Sequence, residues 1–161
     1  LRSKIVSRWF CGSGEEIEYR EIIEIVKQYT KNNAKVFVGT DSQVGKIECM
    51  FSTAICLHGA DNQKGGRYFF KKTKFKTCKF PTVLKRITFE VERSVQLSLK
   101  LYEECPEATI EIHLDISSSD KGEKTSSYAD MLIGYAKGVG FECKVKPESF
   151  AASSIADKHS K

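Results

Sequence analysis

Apolar residues along this chain change their period several times, and each change marks an element. Ile17, Ile22, Val26 and Tyr29 share one face of a helix that follows the capping-box spacing of Ser13 and Glu16 and ends at Asn32–Asn33. The run KVFVG at 35–39 predicts a short strand leading straight into Thr40, Asp41, Ser42 and Gln43, with a turn at Val44–Gly45. From 47 to 57 the odd positions Ile47, Cys49, Phe51, Ile55 and Leu57 are mostly apolar, the period-two signature of a strand with one buried face. Residues 58–66 read as a loop and 67–76 as the partner strand.

The period lengthens again after Pro81, which opens a long helix where its missing N–H is not needed. Leu84, Ile87, Val91, Val95 and Leu101 carry that helix to Cys105, and Pro106 stops it. In TIEIHLDI, 109–116, the even residues Ile110, Ile112, Leu114 and Ile116 take one face of a strand; Glu111, His113 and Asp115 take the other. The polar stretch 117–127 reads as the mobile loop of the fold. A helix at 128–139, ended by Gly138 and Gly140, a strand at 141–145 and a last helix capped by Ser149 complete the chain.

Three strands joined by short links form an antiparallel meander, and the later strands are separated by helices long enough for parallel crossovers. The expected architecture is α/β: a mixed five-stranded sheet flanked by helices. It occupies one domain over 1–161, with 1–34 as an N-terminal helical extension and 35–161 as the core.

Composition narrows the partners. Of 161 residues, 40% are hydrophobic and 29% charged, which excludes a disordered chain. A net charge of +5 permits a polyanionic partner. Six cysteines without a C-x-x-C pair read as reduced thiols of an intracellular, cytoplasmic protein. No apolar run approaches the roughly 20 residues of a membrane span, and no signal-like start is visible, so no membrane partner is expected. Leu1 in place of methionine suggests a trimmed or incomplete N-terminus.

Four carboxylates stand out by placement. Asp41 lies just past its strand, where open α/β sheets put their ligand sites, although Thr40 and Ser42 beside it also suit a turn aspartate. Asp115 is on the polar face of a strand expected to be covered on both sides, a costly arrangement unless it lines a cleft or is neutralised. Its place at the strand end favours it over Glu111. Glu90 borders the Ile87–Val91–Val95 stripe, whereas Glu92 is rotated about 200° away. Asp157 follows a run of small residues, Ala151, Ala152, Ser153, Ser154 and Ala156, that lets a helix approach a sheet closely. Lys158, His159 and Lys161 suit a helix C-terminus, with His159 open to a proton-relay role.

The motifs GTDSQ at 39–43, ITFE ending at Glu90, HLDI at 113–116 and KPESFAASSIADKHSK at 146–161 resemble the YkuK family of predicted ribonuclease H-like nucleases, over residues 15–161. The resemblance implies a ribonuclease H-like fold and a metal site of Asp41, Glu90, Asp115 and Asp157. Gln43 stands where proofreading exonucleases have a glutamate, and the histidine follows Asp157 rather than preceding it, which argues against that class.

In the basic stretch RYFFKKTKFKTCKF, 67–80, Lys72, Lys74 and Lys76 share a strand face and could track phosphates, with Lys158 adding to them; the phenylalanines could stack on bases. Lysines that blunt a sheet edge and aromatics that fill the core explain the same pattern. The expected function is hydrolysis of RNA, DNA or hybrid phosphodiesters with Mg²⁺ or Mn²⁺ on the four carboxylates. A nucleic-acid-binding module without turnover and a scaffold whose acidic cluster is structural are the alternatives.

Overall fold

A computed structural model describes residues 8–117 and 126–161. In chain order the elements are β1 (Trp9–Cys11), β2 (Glu16–Ile17), α1 (Tyr19–Lys31), β3 (Lys35–Val44), β4 (Glu48–His58), β5 (Gly66–Lys76), α2 (Val83–Glu104), β6 (Thr109–Ser117), α3 (Ala129–Val139), β7 (Glu142–Lys146) and α4 (Asp157–Ser160). A π-helical stretch, Ala151–Ala156, runs directly into α4. The expected mobile loop falls mostly on residues 118–125, outside the described ones.

One mixed sheet has the order β2-β1-β5-β4-β3-β6-β7. β3, β4 and β5 form the antiparallel meander, and β6 and β7 join β3's other side in parallel. The sheet has seven strands rather than five, because β1 and β2 form a hairpin on the outer edge of β5. Strands of three and two residues are too short to show a period, and Trp9 pairs with Lys71, far along the chain. The N-terminal segment is therefore not a helical extension. It adds two strands to the sheet and a helix to its face.

Three helix starts also shift. Glu18 caps α1, its N–H donating to Glu21 Oε1 at 3.2 Å, so the capping box lies five residues beyond Ser13. Thr82 caps α2, accepting from the Lys85 N–H at 3.1 Å, which leaves Pro81 before the cap. Ser149 accepts from the Ala152 and Ser153 N–H groups through its carbonyl, while its hydroxyl is buried without a partner among the described residues. None of the described helices is long and apolar enough to cross a membrane. All six cysteines are free.

Alternation along the strands decides which layer each residue meets. Val36 and Val38 of β3 pack with Ile22, Ile23 and Val26 of α1 and Leu101 of α2. Ile112, Leu114 and Ile116 of β6 pack with Ile87, Val91 and Val95 of α2 and Leu132 and Ala136 of α3. Three helices thus cover one face. The opposite face meets the C-terminal segment, whose Ala151 and Ala156 pack on Phe37, Ala54 and Cys56. A Cβ on Gly39 would lie 2.5 Å from the Ala152 backbone nitrogen, so only glycine lets that segment come so close.

Candidate functional site

The site begins where two strands part. β3 and β6 pair from Lys35↔Thr109 to Gly39↔His113 and no further. Beyond that point β3 stays with β4 as far as Val44↔Cys49, and β6 shifts register against β7 between His113 and Ser117. Asp41 and Asp115 each lie two residues past the last pair, facing each other across the gap. β3 is longer than the sequence suggested because its β4 edge continues where its β6 edge has ended. β4 lies on one side of β3 and β6 on the other, and the parting of β3 and β6 opens a crevice of the kind that open α/β sheets use for ligands.

Asp41 is 7% exposed, and the Ser160 hydroxyl of α4 donates to its Oδ2 at 3.2 Å. Its carboxyl is pushed up to about 9. Burial is the largest cause, followed by the charge of Glu90, the hydrogen bonding and charge of Asp115, and a hydrogen bond with Asp157. The other three carboxylates therefore all interact with Asp41. They reach it from the neighbouring strand and from helices on both faces of the sheet.

Glu90 enters from α2. It is 6% exposed, and Ser42, the residue after Asp41 and so on the other face of β3, donates to its Oε2 at 2.5 Å. The Arg86 Nε–H in turn donates to the Ser42 hydroxyl at 3.1 Å. The Glu90 carboxyl is raised to about 8, mainly by burial and further by Asp115; the Ser42 hydrogen bond, Arg86 and Lys146 oppose the shift. Glu92 is exposed, as the helix register predicts. Asp115 pairs with Lys146 at 3.3 Å and Asp157 with Lys161 at 3.4 Å. Among the described residues no group of three or more His, Cys, Asp or Glu side chains is spaced to hold a metal ion as these side chains now stand.

The ribonuclease H-like family profile matches residues 18–161. The chain belongs to that family. It is also 24% identical to the uncharacterized protein YkuK of Bacillus subtilis (strain 168), over 92% of this chain and 94% of that one. The resemblance carried by the GTDSQ, HLDI and C-terminal motifs agrees with both.

Other candidates fall around this centre. Lys72, Lys74 and Lys76 are exposed, and cross-strand register puts Asp41, Ser52 and Lys72 side by side on β3, β4 and β5. At ordinary strand spacing Lys72 is about 10 Å from Asp41 on the same face. Lys74 pairs with Glu48 at 3.8 Å. Phe69, Phe70 and Phe80 of the same stretch are buried, so they fill the interior. Lys158 is exposed. The His159 ring stacks on Phe70 at 3.6 Å between centroids and shares a 2.9 Å hydrogen bond with the Tyr68 hydroxyl; its contacts are on β5 rather than with the carboxylates. Burial, then Lys158 and Lys72, lower its pKa.

Sequence reasoning missed the residues that service the carboxylates: Ser42, Arg86, Lys146, Lys161 and Ser160. Two of them had a signal. Ser42 must point away from Asp41 on a strand, towards α2, and Arg86 precedes Glu90 by one helical turn.

Proposed function

We propose that this chain is a divalent-metal-dependent nuclease. The observation that carries the reading is the Asp41 carboxyl, buried at the parting of β3 and β6 among Glu90, Asp115 and Asp157 and driven up to about 9. Gathering four carboxylates in one place does not serve stability, since each raises the cost of ionising the others. The donor set is all oxygen, which suits Mg²⁺ or Mn²⁺. Asp41 and Asp115 would hold the ions from the strands, and Glu90 and Asp157 from the flanking helices. When bound, a pair of such ions supplies positive charge to the attacking and leaving oxygens of a phosphodiester. The Lys72–Lys74–Lys76 row, exposed on the face of Asp41, would bind the backbone of the nucleic acid beside the site. A proton relay through His159 would require its ring to leave Phe70 and Tyr68.

A second reading is a nucleic-acid-binding module without turnover. The ion pairs Lys146–Asp115 and Lys161–Asp157 favour it, because they put protein cations beside two of the four carboxylates. Cleavage assays decide between them, with single-stranded RNA, single-stranded DNA, an RNA–DNA hybrid and a branched duplex, each with Mg²⁺ and then Mn²⁺. Metal-dependent cleavage by the wild type that is lost in Asp115→Asn is expected. Binding without cleavage of any substrate selects the module.

A further inference from the structure

The helical face of the sheet carries a separate cleft of about 690 Å³, within the usual range of small-molecule sites. Its walls come from β1, β4, β5, α1, α3 and the flank of α2, and they bring together Lys71, Arg93 and Lys100. None of these three cations has an ion-pair partner among the described residues. They rest on ring faces instead. Lys71 Nζ is 5.1 Å from the Trp9 centroid, Lys100 Nζ 4.1 Å from that of Tyr19, and Arg93 Cζ 5.5 Å from that of Phe89.

Hydrogen bonding there is incomplete. Arg93 donates from Nη2 to Thr73 Oγ1 at 3.0 Å, but among the described residues its buried Nε–H has no acceptor and the buried Tyr19 hydroxyl has no partner. Orphaned buried donors are costly and rare in folded proteins. Lys71 is depressed to about 8, by burial first and then by Arg93 and Lys100. Glu92, the carboxylate on the wall, is exposed and pairs with none of them. Three crowded cations and a donor without an acceptor describe a site short of one anion. A guanidinium and two ammonium groups match a phosphate, and Trp9, Tyr19 and the half-exposed Tyr135 add flat apolar walls beside it.

We propose that this cleft binds the phosphate of a nucleotide, with the base against its aromatic wall. The phosphate can come from a free mononucleotide or from the 5′ end of a strand. The site is independent of the carboxylate centre. Thr53, on its lining, hydrogen-bonds Thr40 at 3.1 Å on the helical face, whereas Asp41 faces the C-terminal segment.

Calorimetric titration of the full chain with a chelator present tests this without any contribution from metal at the carboxylates. The probes are AMP, adenosine, inorganic phosphate and a 5′-phosphorylated tetranucleotide. AMP is expected to bind at least roughly tenfold tighter than adenosine, and both Lys71→Gln and Lys100→Gln to weaken it roughly tenfold, the scale of one charge-assisted hydrogen bond. Lys100 is exposed, so its variant keeps the fold even if Lys71→Gln does not, and a melting curve checks each. A tighter tetranucleotide than AMP identifies a strand end as the ligand; the reverse identifies a free nucleotide. Absence of saturable AMP binding at millimolar concentration overturns the proposal. So does AMP affinity unchanged in Lys100→Gln, or inorganic phosphate binding as tightly as AMP.

Discussion

Two polar clusters lie on the same face of β6, a few residues apart, and they have opposite characters. In the first, His113 is 1% exposed, bonds Glu111 Oε1 through Nε2 at 2.9 Å and accepts the Ala151 N–H on Nδ1 at 3.1 Å. Phe37 and Phe150 enclose its ring. Nδ1 is an acceptor here, so the ring is neutral with its proton on Nε2, and burial lowers its pKa accordingly. Every polar atom of the ring has a partner. In the second cluster, Asp41 and Asp115 meet other carboxylates, and two of the four are driven to hold protons at neutral pH. The first cluster fastens the C-terminal segment to the sheet. The second is strained in the absence of added positive charge. Burial of polar groups is common to both, and what separates a fastening from a candidate reaction centre is whether a buried group meets a complementary partner or another acid.

The largest effect that could break this comparison is on catalysis. Asp115→Asn should lower metal-dependent cleavage by at least about 10²-fold, the scale seen when one electrostatic stabiliser is removed. Glu111→Gln, two residues earlier on the same face, should change the rate little. Equal losses in the two variants would erase the distinction between the clusters.

Stability should show the reverse ranking. His113→Leu leaves Glu111 and the Ala151 N–H without their partner, and should cost about 2–4 kcal/mol in urea unfolding. Asp115→Asn should be neutral or stabilising in the absence of metal, because it removes charge from a repulsive group. A His113→Leu protein as stable as wild type would show that the C-terminal segment is held by its alanine packing alone.

Divalent metal sharpens the contrast further. At about a hundred times its dissociation constant, Mg²⁺ or Mn²⁺ should raise the unfolding free energy by about 2.7 kcal/mol. Thermal melts of wild type and Asp41→Asn read this directly. The shift should vanish in Asp41→Asn and persist in Glu111→Gln.

The pH dependence of the metal-free protein tests the same contrast. Folded Asp41 and Glu90 titrate near 9 and 8, above their ordinary values of 3.8 and 4.5, so the folded state binds protons more tightly than the unfolded one. Their contribution is fully present below about pH 4 and is lost as pH rises towards 8–9. Between pH 6 and 8 each group that is protonated in the fold and ionised in the unfolded chain costs about 1.4 kcal/mol per pH unit, so Tm should fall across this interval. Asp41→Asn should flatten the curve, whereas a Tm that rises across this interval would contradict the repulsive centre.

Much of this arrangement was legible beforehand, for reasons that differ by residue. TIEIHLDI alternates cleanly, so its two faces could be assigned from the period of a strand, and the face bearing Glu111, His113 and Asp115 is the one that meets the C-terminal segment. Glu90 and Glu92 were separable because helix rotation carries one towards the Val91 stripe and the other to solvent. The β1–β2 hairpin was not legible, since its pairing energy comes from β5 rather than from its own five residues. Nor could the sequence say that Glu111 and His113 hydrogen-bond each other, which depends on rotamers and on an N–H delivered by a segment nearly forty residues away.

Local periodicity and turn residues thus determined the element order from β3 onward and the two faces of β6. These follow from backbone geometry, which repeats every few residues and leaves its mark on the chain. Tertiary structure alone decided where β3 and β6 part, which lysines pair with Asp115 and Asp157, and that Lys71, Arg93 and Lys100 converge on one cleft. Each of these depends on distances between groups remote in sequence, and Coulomb energy and burial act on distance in space.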